Sequence, residues 1–156
     1  MLDLAIITLR AAKNIAVVGL SKNPGKSAHD IPQLLPQWGY AVVGVNPSAV
    51  PAVGTIPVVN SIDDVEMDID ILNVFRPSSD TDAIIDQALA RRARQGDVRC
   101  IWLQLGITSL KGAEKCAAAG VTYIDDACIY VVQQYIKESI RLSSLHSGSL
   151  SPNLQG

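Results

Sequence analysis

The residues best suited to chemistry lie in one short stretch, Gly19-Leu20-Ser21-Lys22-Asn23-Pro24-Gly25-Lys26-Ser27. Gly19 permits a tight turn and Gly25 a close backbone approach. Ser21, Asn23 and Ser27 are neutral donors, while Lys22 and Lys26 carry positive charge. A helix starting here would aim unpaired N–H groups and its positive end at an anion. The set suits a phosphate or a pyrophosphate. It is not a GxGxxG loop, because Ser21 replaces the second glycine. It is not a Walker A loop either, because Leu20 stands where that loop needs its first glycine. An ATPase is therefore poorly supported. The plainer reading is a polar turn between strand and helix.

Other reactive residues close later apolar runs. Asn46-Pro47 stands where a nicotinamide-binding fold usually places an acid that holds the adenosine ribose. A strand-ending Asn-Pro turn explains the pair equally well. Phe75-Arg76-Pro77 offers a ring or a guanidinium to an adenine and a charge to a phosphate; the alternative is a surface arginine. Gln104-Leu105-Gly106 closes one further run, and Asp125, Asp126 and Cys128 follow another. The two aspartates have no partner base beside them, and no Ser-His-Asp or Cys-His arrangement is readable. The reading leans away from an enzyme.

The elements that must position these residues follow from hydrophobic pattern. Five short Val- and Ile-rich runs read as strands: 15–20, 41–45, 69–75, 100–103 and 121–124. Helical patterns separate them. Residues 2–13 lead into the first strand. A helix over 27–38 should kink or shorten at Pro36, with Pro32 excused only if it falls in the first turn. Residues 81–94 carry an apolar stripe, with Ser78 or Ser79 as cap and Asp80 and Asp82 suited to the first turn. Arg91, Arg92, Arg94 and Arg99 read as a solvated, dipole-complementing end. Residues 110–119 form another helix, closed by Gly120. Cys100, Cys116 and Trp102 read as core. The alternation predicts an α/β fold: a Rossmann-like, doubly wound, mostly parallel five-stranded sheet with helices on both faces. In such a sheet, ligands bind beyond the carboxyl ends of the strands, where strand order reverses.

Composition bounds the rest. The chain has 156 residues, 48% hydrophobic and 18% charged, with net charge -2. That size suits one domain, assigned to 1–142, with the Ser-rich stretch 143–156 set aside as a flexible tail. Thirteen basic residues against fifteen acidic ones argue against a general nucleic-acid binder. No apolar run reaches membrane-spanning length, about 20 residues, and Asp3 argues against a secretory leader. Three widely spaced cysteines suggest neither a disulfide framework nor a zinc site. The expectation is a cytoplasmic protein.

Taken in order, Val17-Val18-Gly19-Leu20-Ser21-x-Asn23-Pro24, Gly39-Tyr40, Val45-Asn46-Pro47, Val74-Phe75-Arg76 and Trp102-Leu103-Gln104-Leu105-Gly106 resemble the small stand-alone CoA-binding proteins. These are similar to the CoA-binding domain of the succinyl-CoA synthetase alpha subunit. The resemblance implies a domain that binds coenzyme A or acyl-CoA. On it, Gly19, Ser21, Lys22, Asn23 and Lys26 would form the phosphate loop, beside the Ser27 donor, and His29 would occupy a position that is commonly aromatic or His. Asn46 and Pro47 would line the nucleotide side, and Phe75, Arg76 and Pro77 would flank the adenine or its phosphates. Gln104 and Gly106 would line the route to the pantetheine arm, and Cys128 matches a family cysteine. That thiol could form a mixed disulfide with CoA; an inert packing cysteine is the competing reading. A small NAD(P)-dependent oxidoreductase is the alternative function, weakened by Asn46. A protein partner or homo-oligomer stays open.

Overall fold

The computed structural model describes residues 1–47 and 50–149. Its elements in chain order are α1 (Leu2–Ala11), β1 (Asn14–Val18), α2 (Ser27–Leu34), β2 (Ala41–Val45), β3 (Ala52–Val53), β4 (Ile56–Val59) and β5 (Ile71–Val74). They continue with α3 (Ser78–Gln95), β6 (Cys100–Leu103), α4 (Leu110–Ala119), β7 (Thr122–Ile124) and α5 (Ile129–Ser149). The strands form one sheet ordered β3-β4-β2-β1-β5-β6-β7, parallel throughout except for the β3–β4 pair. β1 lies between β2 and β5, so strand order reverses there, where a doubly wound sheet opens its ligand crevice.

The sheet has seven strands where the hydrophobic pattern predicts five. The additional pair is the β3–β4 hairpin, turning at Gly54, which has a φ of 59°. Its strands are two and four residues long, and Pro57 lies within β4. Short runs with proline carry little strand signal, and proline is confined to sheet edges. β4 reaches the main sheet only through Gly44↔Val58 and Val45↔Val59.

Both faces of the sheet are covered, as buried parallel strands require. Ile15, Val17, Ile71 and Trp102 pack with Leu9, Leu35, Val132 and Ile136, contributed by α1, the end of α2 and α5. Ala16, Val18, Leu72, Val74 and Leu103 pack with Ile85, Ala88 and Cys116 of α3 and α4. Cys100, Cys116 and Trp102 are core residues, as expected. The Trp102 indole N–H donates to the Ala127 carbonyl at 2.8 Å. Trp38 lies 6.0 Å from the Tyr130 ring, with the Lys137 ammonium 5.3 Å over its face.

Three local expectations change. α2 starts after its cap residue Lys26, so Pro32 sits beyond the first turn; the stop of the α-helix at Leu34 is the shortening expected of Pro36. Pro36–Trp38 then makes a single 3-10 turn that Gly39 closes. α3 begins at Ser78 with Pro77 as its cap; the Ser78 hydroxyl accepts the Thr108 N–H rather than capping the helix. Arg91 is buried, not solvated. Its guanidinium donates to Asp97 and to the carbonyls of Ile62, Val65 and Met67. Every donor on that charge finds an acceptor, which is what permits its burial.

α5 runs through Ser149, so Ser143–Ser149 of the segment set aside as a tail are helical; 150–156 lie outside the described residues. Among the described residues, no helix is long and apolar enough to cross a membrane.

Candidate functional site

The loop after β1 is built as a cradle by its own backbone. Gly19 donates its N–H to the Val45 carbonyl at 3.1 Å, fixing the loop's start to the end of β2. Ser21 donates its N–H to the Ala28 carbonyl at 2.9 Å, and the Ser21 hydroxyl accepts the Asn23 N–H at 3.1 Å. Gly25 donates to the Asp30 carboxylate at 3.1 Å. No side chain caps α2; the His29 and Asp30 N–H groups both donate to the Lys26 carbonyl at 2.9 Å, so the first-turn donors turned toward the loop are those of Ser27 and Ala28. Asn46 Nδ2 donates to the Leu20 carbonyl at 3.0 Å, which ties the end of β2 to the same loop.

Gly19 has a φ of 86°. A Cβ there would stand 2.9 Å from Arg76 Cδ and 3.3 Å from the Phe75 carbonyl carbon. The chain after β5 therefore crosses directly over the first glycine, and only a residue without a side chain fits beneath it. Arg76 is half-exposed and held by Asp80, with Nη2 to Oδ2 at 2.7 Å.

Two clefts open here. One, about 310 Å³, is lined by Gly19–Asn23, Lys26, Ala28, Asn46, Val50, Val53, Val58, Phe75 and Arg76. The other, about 530 Å³, lies toward α3 and is lined in part by Asn46, Pro47, Ile62, Arg76, Asp80 and Ile84. Gly19, Asn46 and Arg76 border both. The arrangement offers apolar walls, two lysines, an arginine and a set of backbone donors around one crevice.

Gly19, Ser21, Lys22, Asn23, Lys26, Asn46, Phe75 and Arg76 are thus brought to one cleft, and Pro47 to its neighbour. Ser27 is the first helical residue of α2, and Pro77 is the cap residue of α3. His29 sits in the first turn of α2, its buried Nδ1 3.8 Å from Asp30 and without a hydrogen-bond partner. Gln104, Gly106 and Cys128 line neither cleft. Gln104 is buried, and its Oε1 accepts from the Ile129 N–H at 3.2 Å and Asn73 Nδ2 at 3.4 Å, linking β5, β6 and α5. Gly106 donates its N–H to Asp126 at 2.8 Å. Cys128 is half-buried just before α5.

Sequence reasoning did not assign Asp80 to the site. The i,i+4 spacing to Arg76 was visible, but an acid in a helix's first turn is already explained by the dipole. Val53 and Val58 were missed together with their hairpin.

The chain matches the CoA binding domain family over residues 13–134. It belongs to that family. It is 32% identical over 129 residues to YneT of Bacillus subtilis (strain 168), covering 83% of this chain and 91% of that one. A Thermus thermophilus structure, cell-free ID.343, superposes with a TM-score of 0.77 at 32% identity, covering 86% of this chain and 98% of that one. An acetyl-coenzyme A synthetase of Ca. Korarchaeum cryptofilum shares the fold at a TM-score of 0.58 and 20% identity, over 79% of this chain and 27% of that one. Family membership supports a small nucleotide ligand, coenzyme A, for this CoA-binding domain.

Proposed function

We propose that this chain binds coenzyme A or acyl-CoA with its pyrophosphate on the Gly19–Ser27 loop and the N-terminus of α2. The nucleotide lies between Asn46-Pro47 and Phe75-Arg76-Pro77. The pantetheine arm runs toward Gly106 and Cys128, with Gln104 holding the floor beneath it. The protein acts as a cytoplasmic binding or sensing module rather than a catalyst. One observation carries the reading: two clefts share Gly19, Asn46 and Arg76 where strand order reverses. An elongated ligand with an anionic middle fits that shape, with its charge at the shared border and its apolar parts on either side.

Titration calorimetry with CoA, acetyl-CoA, dephospho-CoA, NAD and NADP tests it. CoA is expected to bind with measurable heat and to raise the melting temperature. Stabilisation by NAD without stabilisation by CoA rejects the proposal in favour of a nicotinamide site.

A further inference from the structure

The two clefts that meet at Gly19, Asn46 and Arg76 differ in charge. The smaller one carries Lys22, Lys26 and Arg76, and among the described residues no carboxylate lines it. The larger one, toward α3, carries one charged residue of each sign, Arg76 and Asp80, already joined at 2.7 Å. A hollow of about 250 Å³ continues it along α3, sharing Ser61, Ile62 and Gln87. The pattern repeats there, with Arg94 paired to Asp63. Each cation on the α3 side thus has its own carboxylate. The remaining polar groups of the larger cleft are the neutral amides and hydroxyls of Asn46, Asn60, Ser61, Ser79 and Gln87.

We propose that Asp80 sets which nucleotide this site prefers, selecting the coenzyme form whose ribose carries no phosphate, dephospho-CoA, over CoA itself. The inference rests on the CoA reading above, with the nucleotide between Asn46-Pro47 and Phe75-Arg76-Pro77. A phosphate monoester carries close to two negative charges at neutral pH. At physiological salt, charges are screened only beyond about 8 Å, so the charges lining a cleft of this size bear on whatever it holds. A 3′-phosphate seated there must either break the Arg76–Asp80 pair or lie beside the carboxylate as a second anion. A ribose hydroxyl makes neither demand. It donates to a carboxylate, and Asp80, half-exposed and with one of about four acceptor sites given to Arg76, has room for it. Nucleotide-binding sheets ordinarily hold ribose hydroxyls with an acid after the second strand. Here Asn46 stands at that position, and the carboxylate of the cleft comes from α3 instead. Asp80 also lies in the first turn of α3, where it offsets the positive helix end that would otherwise draw a phosphate. The pyrophosphate keeps its partners, because Lys22 and Lys26 belong to the other cleft.

Titration calorimetry of the full chain with dephospho-CoA and CoA, and with ADP and its 3′-phosphorylated form, tests this. The parent protein is expected to bind the unphosphorylated member of each pair about fivefold tighter, the scale of one like-charge contact in water. Asp80→Asn should abolish or reverse that order. Asp86→Asn, which removes the same charge from α3 outside both clefts, should keep it. A parent protein that binds CoA as tightly as dephospho-CoA, or tighter, overturns the proposal and leaves the CoA reading standing. An affinity ratio unchanged in Asp80→Asn does the same. Binding of neither coenzyme form removes the CoA reading and this inference with it.

Discussion

The Ala28 carbonyl, which accepts the Ser21 N–H at 2.9 Å, is the acceptor that Pro32 leaves free. In a regular helix the N–H of residue 32 would occupy it, and proline has none. The proline within α2 thereby turns a helix carbonyl into an anchor for the phosphate loop. Pro32→Ala gives the helix a competing donor. Helix propensity favours alanine by about 3 kcal/mol at an interior position, so the variant should melt at the same or a higher temperature. Its affinity for CoA should nonetheless fall, as the loop loses its tether. Scanning calorimetry and titration on the same preparation check both. Unchanged affinity would remove the anchoring role from Ser21 and Ala28.

Arg76 can be separated from Asp80 at little structural cost, because an exposed ion pair contributes only about 0–1 kcal/mol. Arg76→Ala should weaken CoA by about 1.5–3 kcal/mol if the guanidinium meets a phosphate. Asp80→Asn should instead tighten CoA, since the carboxylate no longer competes for the arginine, and the gain should shrink as salt rises. If Arg76 meets the 3′-phosphate, Arg76→Ala will cost CoA more than dephospho-CoA; equal losses assign it elsewhere. Lys22→Ala is read the same way.

The buried Arg91–Asp97 pair sets an acid limit on stability. Burial alone would raise the Asp97 carboxyl, but the Arg91 guanidinium and the Ile69 N–H outweigh it and hold the group below its ordinary value. The unfolded chain then takes up a proton more readily than the native one. The contribution is complete above the unfolded value, about 3.9, and is lost as pH falls through the native one. Melting temperature should therefore drop on acidification below about pH 4. Asp97→Asn should cost about 3–5 kcal/mol at neutral pH, because it leaves the arginine charge unpaired. It should also flatten the acid limb of a pH series.

The three thiols should differ in reactivity. Burial pushes Cys116 up to about 11 and raises Cys100 further, with the Cys116 charge adding to it. Cys128 is half-buried and should react first with a disulfide reagent, its thiolate attacking one sulfur and releasing the other as thiol. Bound CoA should slow that reaction if the pantetheine arm ends beside it. Intact mass of the parent and of Cys128→Ala, with and without CoA, measures this. Fast modification that persists in Cys128→Ala contradicts the ranking.

Legibility followed the length scale of each signal. The five parallel strands were readable because each is an apolar run ended by Gly, Asn-Pro, Arg-Pro or Asp, and their carboxyl ends carried the loop residues with them. The β3–β4 hairpin was not, since Pro51 precedes β3, Pro57 lies within β4, and both strands are too short to show alternation. Arg91 was misread because its partner, Asp97, lies beyond the helix end, and the carbonyls of Ile62, Val65 and Met67 come from a distant segment. In the site, the glycine and lysine chemistry of the loop was visible residue by residue. The role of Gln104 was not: its two partners come from β5 and from the start of α5, an arrangement only the sheet order creates.

The placement of the two indoles gives the molecule its own optical reporter. Trp38 borders Tyr130 and Lys137 of α5, and Trp102 is bonded to the residue before Cys128. Any event that lifts α5 from the domain will strip one ring of its cation and wet the other. Emission should then shift to the red with no label attached. Movement of the last helix can therefore be timed in stopped flow by intrinsic fluorescence alone.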